Sequence, residues 1–473
     1  MADAPKDAPE AGRTLINNIG LLLTGDLDQT IADSDCLLIE DGVIIGFEQG
    51  DADRVIDAGG CAVAPGLIDG HCHPVFGDWT PRQNQSGWIE MNVNGGVTSF
   101  ISAGEVHLPG RPKDAEGVKA LAMVAQRCFA NFRSLGAKVI AGAPVPELDF
   151  GRDFYEGIKA AGIRHIGEIG LGTVAKGADA ARVTAWCREL GIETIMHVGG
   201  PSIAGSHHVT AEDVLEAQPD VLSHINGGPT SNPHTDIREL CRHAKGALEA
   251  VHNGNEKSAL VAMEGALEND RLGDFLIGTD APAGSGVQPN GMLRMATLLA
   301  SIGGLPAEQA WCCGTGNVTK KRELDQGILE AGRSADIVFM DRPSGSEGKN
   351  VLEAMAVGNI PGIAAVMIDG KMRTGRSRST PPSGRSRNRR NPGATSRSLD
   401  RAHPWARWRR SSAAGRAPTG LPWRRAVSVW CRAQTATGTG HGVLRTIPRA
   451  RPCPCGLLPL HRWRGLVRPC RCP

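Results

Sequence analysis

Apolar residues form short runs, rich in β-branched side chains, near both ends of the first 373 residues. Within residues 13–64 the runs are RTLINNIGLLLTG, DCLLIEDGVIIGFEQG and RVIDAGGCAVAPG, and within residues 323–373 they are QGILEAGRSADIVFMD and AAVMIDGKM. Asp-Gly and Gly-Gly pairs between such runs are typical of hairpin turns. We therefore predict one small β-sandwich, built from residues 13–64 together with residues 323–373.

Between these ends, residues 65–322 repeat an apolar strand, a polar turn and an amphipathic helix. The eight strand-like runs are GLIDGHCHP, GVTSFISAG, AKVIAGAP, HIGEIGLG, ETIMHVGG, DVLSHING, ALEAVHNG and DFLIGTD. Stretches with helical periodicity, such as DAEGVKALAMVAQRCFANFRSLG and AEDVLEAQPD, separate several of them. Eight such units over about 240 residues predict an α/β fold, a (β/α)8 barrel of the TIM type.

Charge divides the chain into two unlike parts. The whole chain has 52 basic and 50 acidic residues, but residues 374–473 alone contain 22 Arg, no Lys and a single acid, Asp400. Residues 1–373 therefore carry 30 basic and 49 acidic residues. A body this acidic is unsuited to nucleic acid, because phosphate binding needs a basic surface.

The C-terminal segment, residues 374–473, is also rich in Pro, Trp and Cys, with 12, five and five of each. Its cysteines form two C-x-C pairs but lack the spacing of a zinc module. We predict that this tail is disordered and derives from a frameshift in GC-rich DNA. The alternative is a basic arm that binds nucleic acid, although such arms usually mix Lys with Arg and rarely carry so many Trp and Cys.

The remaining eight cysteines are dispersed without a pairing pattern, which suits a reducing compartment. The N-terminal MADAPKDAPEAG lacks the apolar core of a signal peptide, and no apolar run is long enough to span a bilayer. We expect a cytoplasmic protein without a membrane partner.

Six potential metal ligands fall at the carboxyl ends of five predicted strands, where barrel enzymes carry their chemistry. Residues i and i+2 of a strand point the same way, so the two imidazoles of His71-Cys72-His73 can share one metal. The set is His71, His73, Glu168, His197, His224 and Asp280. Four imidazoles and two carboxylates suit zinc, iron or manganese.

Each of these residues has a simpler interpretation when taken alone. A lone barrel histidine such as His224 is more often a hydrogen-bonded core residue, and an acid before Ala-Pro, such as Asp280, is usually a cap or turn residue. Glu168 alone would be interpreted as a salt-bridged position. All six residues lie at the ends of strands in the same eight-strand pattern, and this shared position indicates a metal centre.

PGLIDGHCH, the strand-end acid, the two later histidines and GTDAP resemble the amidohydrolase superfamily over residues 13–373. Within it, SAGEVHLPGRPKDAEG, GEIGLGT, VLSHINGGPT, GTDAPAGSG and the late STPP are similar to the enamidases, which act on 6-oxo-1,4,5,6-tetrahydronicotinate. Many members bridge two metals with a carbamylated Lys on strand four. Here the nearest lysine, Lys176, lies in the following loop, and the resemblance implies that Glu168 bridges instead. It also implies zinc and iron as the two metals, and a homotetramer.

The resemblance further implies metal-dependent hydrolysis of a cyclic amide to 2-formylglutarate and ammonia. His71, His73 and Asp280 would hold one ion, and His197 and His224 the other, with Asp280 also the catalytic base and acid. The substrate carries a carboxylate, which needs a cationic or polar partner on loops above the barrel. The candidates are Arg82, His107, Arg111 and Lys113.

Three alternatives stay open at the level of sequence. The same ligands could serve a dihydroorotase-, hydantoinase- or adenine-deaminase-like reaction. Some barrels of this kind are metal-free scaffold proteins, although these would be expected to have lost ligands. The tail could also make this a nucleic-acid-binding protein.

Overall fold

A computed structural model of the chain describes residues 9–74, 85–104, 110–202, 205–228, 230–282 and 290–389. The strands within these ranges are β1 Arg13–Asn17, β2 Leu21–Leu23, β3 Ile31–Ala32, β4 Leu37–Glu40, β5 Val43–Gly46, β6 Arg54–Asp57, β7 Ala62–Pro65, β8 Leu67–Cys72, β9 Val97–Ser102, β10 Lys138–Ile140, β11 Ile195–His197, β12 Val221–Ser223, β13 Ala247–Val251, β14 Phe275–Gly278, β15 Ile337–Asp341, β16 Gly362–Ile368, β17 Lys371–Thr374 and β18 Asn388–Arg389.

The α-helices within the same ranges are α1 Gln85–Asn94, α2 Ala115–Asn131, α3 Arg152–Ala160, α4 Gly177–Leu190, α5 Ala211–Ala217, α6 His234–His243, α7 Glu256–Glu268, α8 Gly291–Ser301, α9 Ala307–Cys313, α10 Gly316–Arg322 and α11 Val351–Ala356. Their starts follow local capping chemistry. Thr210 and Asp213 form a reciprocal capping box at the start of α5, and Asp114 caps α2 by accepting from the amide of Gly117. No helix in the described ranges is both long and apolar enough to cross a membrane.

The predicted barrel is confirmed. Strands β8 to β10 and β11 to β14 form two parallel sheets, and a bridge between Cys72 and Ala281 joins the first strand to the segment after the last. The fourth run, HIGEIGLG, joins its neighbour only through isolated bridges at His165 and Ile169. Its other side is linked through the amide of Gly167, which donates to the carbonyl of Pro144.

The floor of the barrel is apolar. One cluster of buried side chains contains residues from six barrel strands, one residue of α10 and one residue just after α10. Its members are Ile68, Ile101, Ile195, Val221, Ala247, Leu276, Val318 and Leu324. Close packing of these side chains excludes water from the base.

The predicted sandwich is also confirmed, and both ends of the body contribute to it. Its sheets have the orders β18-β6-β1-β4-β5 and β17-β16-β15-β7-β2-β3. Strand β15 pairs antiparallel with β7, which joins the late segment to the early one. Side chains from both sheets, including Ile16, Ile39, Val63 and Phe339, form one buried core.

The ordered fold extends beyond the boundary that we predicted at residue 373. Ser377 donates to the carbonyl of Asn94, and strand β18 pairs antiparallel with β6. Residues 374–389 thus belong to the body, because they pair with a sheet edge that would otherwise be left open. The rest of the predicted tail, residues 390–473, lies outside the described residues.

Candidate metal centre

The barrel strands bring all six predicted ligands together at one end of the barrel. His71 lies near the end of β8 and His73 follows it, His197 ends β11, and His224 and Asp280 follow β12 and β14. The side chains of all six are almost completely buried. His224 and Asp280 have positive φ angles of 33° and 56°, a backbone conformation that costs free energy outside glycine.

The Glu168 carboxylate lies at the middle of the cluster. Its Oε2 is 3.7 Å from Nε2 of both His71 and His73. Its Oε1 is 3.0 Å from His224 Nε2 and 4.0 Å from His197 Nδ1. One carboxylate therefore faces two histidine pairs, one through each oxygen.

The Asp280 carboxylate lies on the side of the first pair. Its Oδ1 is 3.1 Å from His73 Nε2 and 3.6 Å from His71 Nε2. Three sets of side chains have ligand atoms within 4.8 Å of one another: His71, His224 and Asp280; His71, His73 and Glu168; Glu168, His197 and His224. The overlap of these sets through His71, His224 and Glu168 suits two ions that share a bridging ligand.

The inward ring nitrogens test whether the residues fit metal ions. His71 Nε2 and His197 Nδ1 are buried without a hydrogen-bond partner among the described residues. A buried polar atom without a partner is costly, whereas a lone pair directed at a cation is satisfied. The donor set therefore fits divalent metal ions.

The outward ring nitrogen of each histidine is held by an acceptor. Nδ1 of His73 donates to the carbonyl of Gly104 at 2.9 Å, and Nδ1 of His224 donates to that of Val198 at 3.1 Å. His197 is reversed: its Nε2 donates to the carbonyl of Gly200 at 3.0 Å. These contacts place the proton outward and leave the inward nitrogen as an electron-pair donor.

The electrostatics of the cluster favour cations. Burial alone would raise the pKa of Glu168, but His71 and His224 lower it below its usual range, so the carboxylate is ionised. Burial opposes protonation of His71, yet Glu168 and Glu249 raise its pKa to about 10, so these carboxylates attract to Nε2 a proton that a bound cation would replace. Burial, together with His224, lowers the pKa of His197 to about 4, which keeps that imidazole neutral, as a metal ligand must be.

Two buried carboxylates next to the cluster were missed from the sequence. Glu249 Oε2 lies 2.9 Å from His71 Nδ1. Asp69 accepts hydrogen bonds from the amide of Thr279 at 2.8 Å and from the amide of His71 at 3.3 Å. It therefore connects β8 to the residue before Asp280. The available signal was a single acid within a short, largely apolar strand, in LIDGHC and in ALEAV.

The four predicted substrate-binding residues are not brought together among the described residues. Arg82 and His107 lie outside them. The Arg111 guanidinium is half-buried, with Nη1 3.8 Å from Glu147 Oε1 and Nη2 donating to the carbonyl of Leu171. Lys113 is exposed.

The sequence is similar to those of known hydrolases and deaminases. The amidohydrolase family model matches residues 62–373. The chain is 42% identical over 380 residues to the enamidase of Eubacterium barkeri, covering 79% of this chain and 98% of that protein. It is 26% identical over 319 residues to an adenine deaminase of Chelativorans sp., covering 63% of this chain and 48% of that protein.

Solved structures agree with these relatives. The crystal structure of an enamidase described as a new member of the amidohydrolase superfamily aligns with a TM-score of 0.76 at 40% identity, covering 80% of this chain and all of that one. A β-aspartyl dipeptidase from Fervidobacterium islandicum aligns with a TM-score of 0.53 at 15% identity, covering 78% and 97% of the two chains, which shows the fold alone. The chain therefore belongs to the amidohydrolase family and is a hydrolase that acts on carbon–nitrogen bonds.

Proposed function

We propose that this protein hydrolyses the amide bond of a cyclic enamide, 6-oxo-1,4,5,6-tetrahydronicotinate, to give 2-formylglutarate and ammonia. The observation that carries the hydrolytic chemistry is the buried cluster around Glu168, in which two ring nitrogens have no hydrogen-bond partner in the part of the chain that the structure describes. The observation that favours this substrate is the 42% identity to an enamidase across 98% of that relative.

The chain's own residues have separable roles in this reaction. His71, His73 and Asp280 would hold one divalent ion, His197 and His224 the other, and Glu168 would bridge them. Such a pair of ions supplies an activated water and polarises the amide carbonyl. Asp280 faces the cluster through Oδ1 and is ionised, since its pKa is lowered by His73 and His71 against the effect of burial. It can therefore accept the proton of the attacking water and return it to the leaving nitrogen.

The chemistry of the substrate completes the reaction. Addition of water to the amide carbonyl and cleavage of the ring C–N bond give a carboxylate and an enamine. The enamine tautomerises to an imine, and a second water releases ammonia and leaves an aldehyde. Neither later step needs a further catalytic group.

The substrate carboxylate calls for a partner on the loops above the barrel. Arg82, His107, Arg111 and Lys113 remain the proposed residues. Of Arg111 and Lys113, the two candidates within the described residues, Arg111 is better suited to pair with the substrate carboxylate. Its guanidinium is half-buried and lies beside Glu147, whereas Lys113 is exposed to solvent.

A substrate panel tests the assignment. The purified protein, loaded separately with zinc and with zinc plus Fe(II), is assayed against the enamide, its saturated lactam, dihydroorotate, hydantoin and adenine. We expect kcat/KM for the enamide, followed by loss of its ultraviolet absorbance, to exceed the others by at least about 100-fold, as positioned polar contacts allow. Faster deamination of adenine or faster opening of dihydroorotate would contradict the substrate.

Three further properties belong to the same proposal. Zinc and iron are the proposed metals, to be identified by metal analysis of protein purified without chelators. The proposed assembly is a homotetramer in the cytoplasm, with no nucleic-acid partner. Salt-sensitive DNA binding that disappears on truncation after residue 389 would contradict the last point.

A further inference from the structure

His71 differs from the other three histidines of the centre in the group that holds its outward nitrogen. His73, His197 and His224 each donate to a backbone carbonyl. His71 Nδ1 instead lies 2.9 Å from a carboxylate oxygen of Glu249, whose side chain is fully buried. The group that holds the outward nitrogen of His71 is thus a side chain, which can be replaced without changing the backbone.

Glu249 has a buried arginine beside it. Arg322, 2% exposed at the end of α10, has Nη2 3.9 Å from Glu249 Oε1 and donates from the same nitrogen to the carbonyl of Gly70. Its Nη1 forms an ion pair with Glu193. The arginine therefore supplies the charge that a buried carboxylate requires inside a barrel with an apolar floor.

Space for Glu249 is provided by Gly70, on the strand that carries His71. A Cβ at position 70 would lie 2.7 Å from Glu249 Oε1, closer than side chains tolerate. Glycine in LIDGHC thus admits the carboxylate beside the ligand, and the buried series runs from Arg322 through Glu249 to His71.

We propose that Glu249 is a positioning residue of the metal centre, which holds His71 with Nε2 directed at Glu168 and Asp280. A carboxylate that accepts the Nδ1 proton fixes the tautomer and ring orientation and makes Nε2 a stronger donor. Arg322 compensates the charge of the buried Glu249 carboxylate. This role rests on the proposed metal centre but not on the proposed substrate.

Zinc affinity tests the role without any substrate. Glu249→Gln keeps the shape of the side chain but offers a neutral acceptor, and we expect one of the two zinc dissociation constants, measured by competition with a chromophoric chelator, to rise about tenfold. Glu193→Gln is the matched control, since it removes a carboxylate from the same arginine without touching a histidine. We expect the control to keep both constants.

Cobalt(II) gives a second readout that general destabilisation would not move. The visible absorption of the cobalt-loaded protein should shift in Glu249→Gln and stay unchanged in Glu193→Gln, because only Glu249 contacts a residue that would bind the ion. If Glu249→Gln does not fold, Glu249→Asp keeps the charge near Arg322 while withdrawing the carboxylate from His71, and it should weaken zinc binding in the same way.

Two outcomes would overturn the proposal at different levels. Unchanged zinc constants and cobalt spectra in both Glu249 variants would remove the role of Glu249 alone. Equally weak zinc binding in Glu193→Gln and Glu249→Gln would also exclude this role of Glu249, because the effect would then come from the loss of any buried charge. Failure of the unmodified protein to bind zinc would overturn the metal centre and this role together.

Discussion

Two clusters of buried charge in this molecule have opposite characters. At the barrel mouth, Glu168 and its histidines include ring nitrogens without a protein partner among the described residues. At the contact between barrel and sandwich, Lys138 Nζ lies 2.9 Å from both Asp336 and Asp369, and Arg133 lies 2.6 Å from Asp369. We call the latter four residues the junction cluster.

The difference shows that buried charged side chains can either stabilise the fold or form a binding site. In the junction cluster each charge has an opposite charge beside it, so the cluster is complete without a ligand and holds two parts of the fold together. At the mouth, four imidazoles and two carboxylates direct buried electron pairs at one another, an arrangement that bound cations would stabilise. Changes at the mouth should therefore alter activity more than stability, and changes at the junction should do the reverse.

Removal of metal is the strongest test of this comparison. We expect dialysis against dipicolinate to abolish turnover of the enamide, and added zinc with Fe(II) to restore it, because the cluster supplies ligands rather than a nucleophile of its own. Circular dichroism should show that the fold survives. Full activity in protein that metal analysis finds empty would refute the centre.

Replacement of the proposed base, Asp280, should cause the second-largest loss of activity. Asp280→Ala should lower kcat by at least about 10³-fold, within the range of general acid–base catalysis, and should leave the unfolding midpoint almost unchanged. Turnover is followed by loss of enamide absorbance. An Asp280→Ala enzyme with wild-type kcat would show that another group moves the proton.

Arg111 should have a smaller effect that appears in substrate binding. If its guanidinium pairs with the substrate carboxylate, Arg111→Gln should raise KM about tenfold, as expected for loss of one charge-assisted hydrogen bond, with kcat little changed. Lys113→Gln is the matched control and should leave both constants alone. Equal KM values in the two variants would exclude Arg111 as the carboxylate's partner.

Lys138 should affect activity least. Lys138→Met leaves the buried Asp336 without its cationic partner, and we expect the free energy of unfolding in denaturant to fall by about 2 kcal/mol. The kcat of the folded enzyme should be unchanged. A loss of kcat comparable to that of Asp280→Ala would mean that the two clusters are not independent.

Much of the fold was predictable because its signals are local. Apolar runs identified both parts of the sandwich and the eight barrel strands, and residues at the ends of five of these runs identified the six candidate ligands that the structure brings together. Boundaries were less accurate. The helix predicted through Gly136 ends at Asn131, and Leu135 has a φ of 50° that a helix does not allow. The end of the fold was placed at residue 373 because an arginine-rich segment has no apolar pattern, yet residues 374–389 pair through backbone groups.

Glu249 shows why part of the site could not be predicted. It lies 178 residues from His71 along the chain, and a single acid in an apolar strand does not reveal its partner. Its contact exists because only strand β14 separates β13, which carries Glu249, from β8, which carries His71, and because Gly70 leaves room for the carboxylate. Neither condition is visible in a window of sequence.

By itself the sequence determined the order of strands and helices and the presence of four imidazoles and two carboxylates at strand ends, because periodicity and residue type are properties of short segments. Only the tertiary structure decided which nitrogen of each histidine faces the centre, and that a carboxylate rather than a carbonyl holds His71. Those choices depend on side-chain orientations set by contacts between segments far apart in the chain.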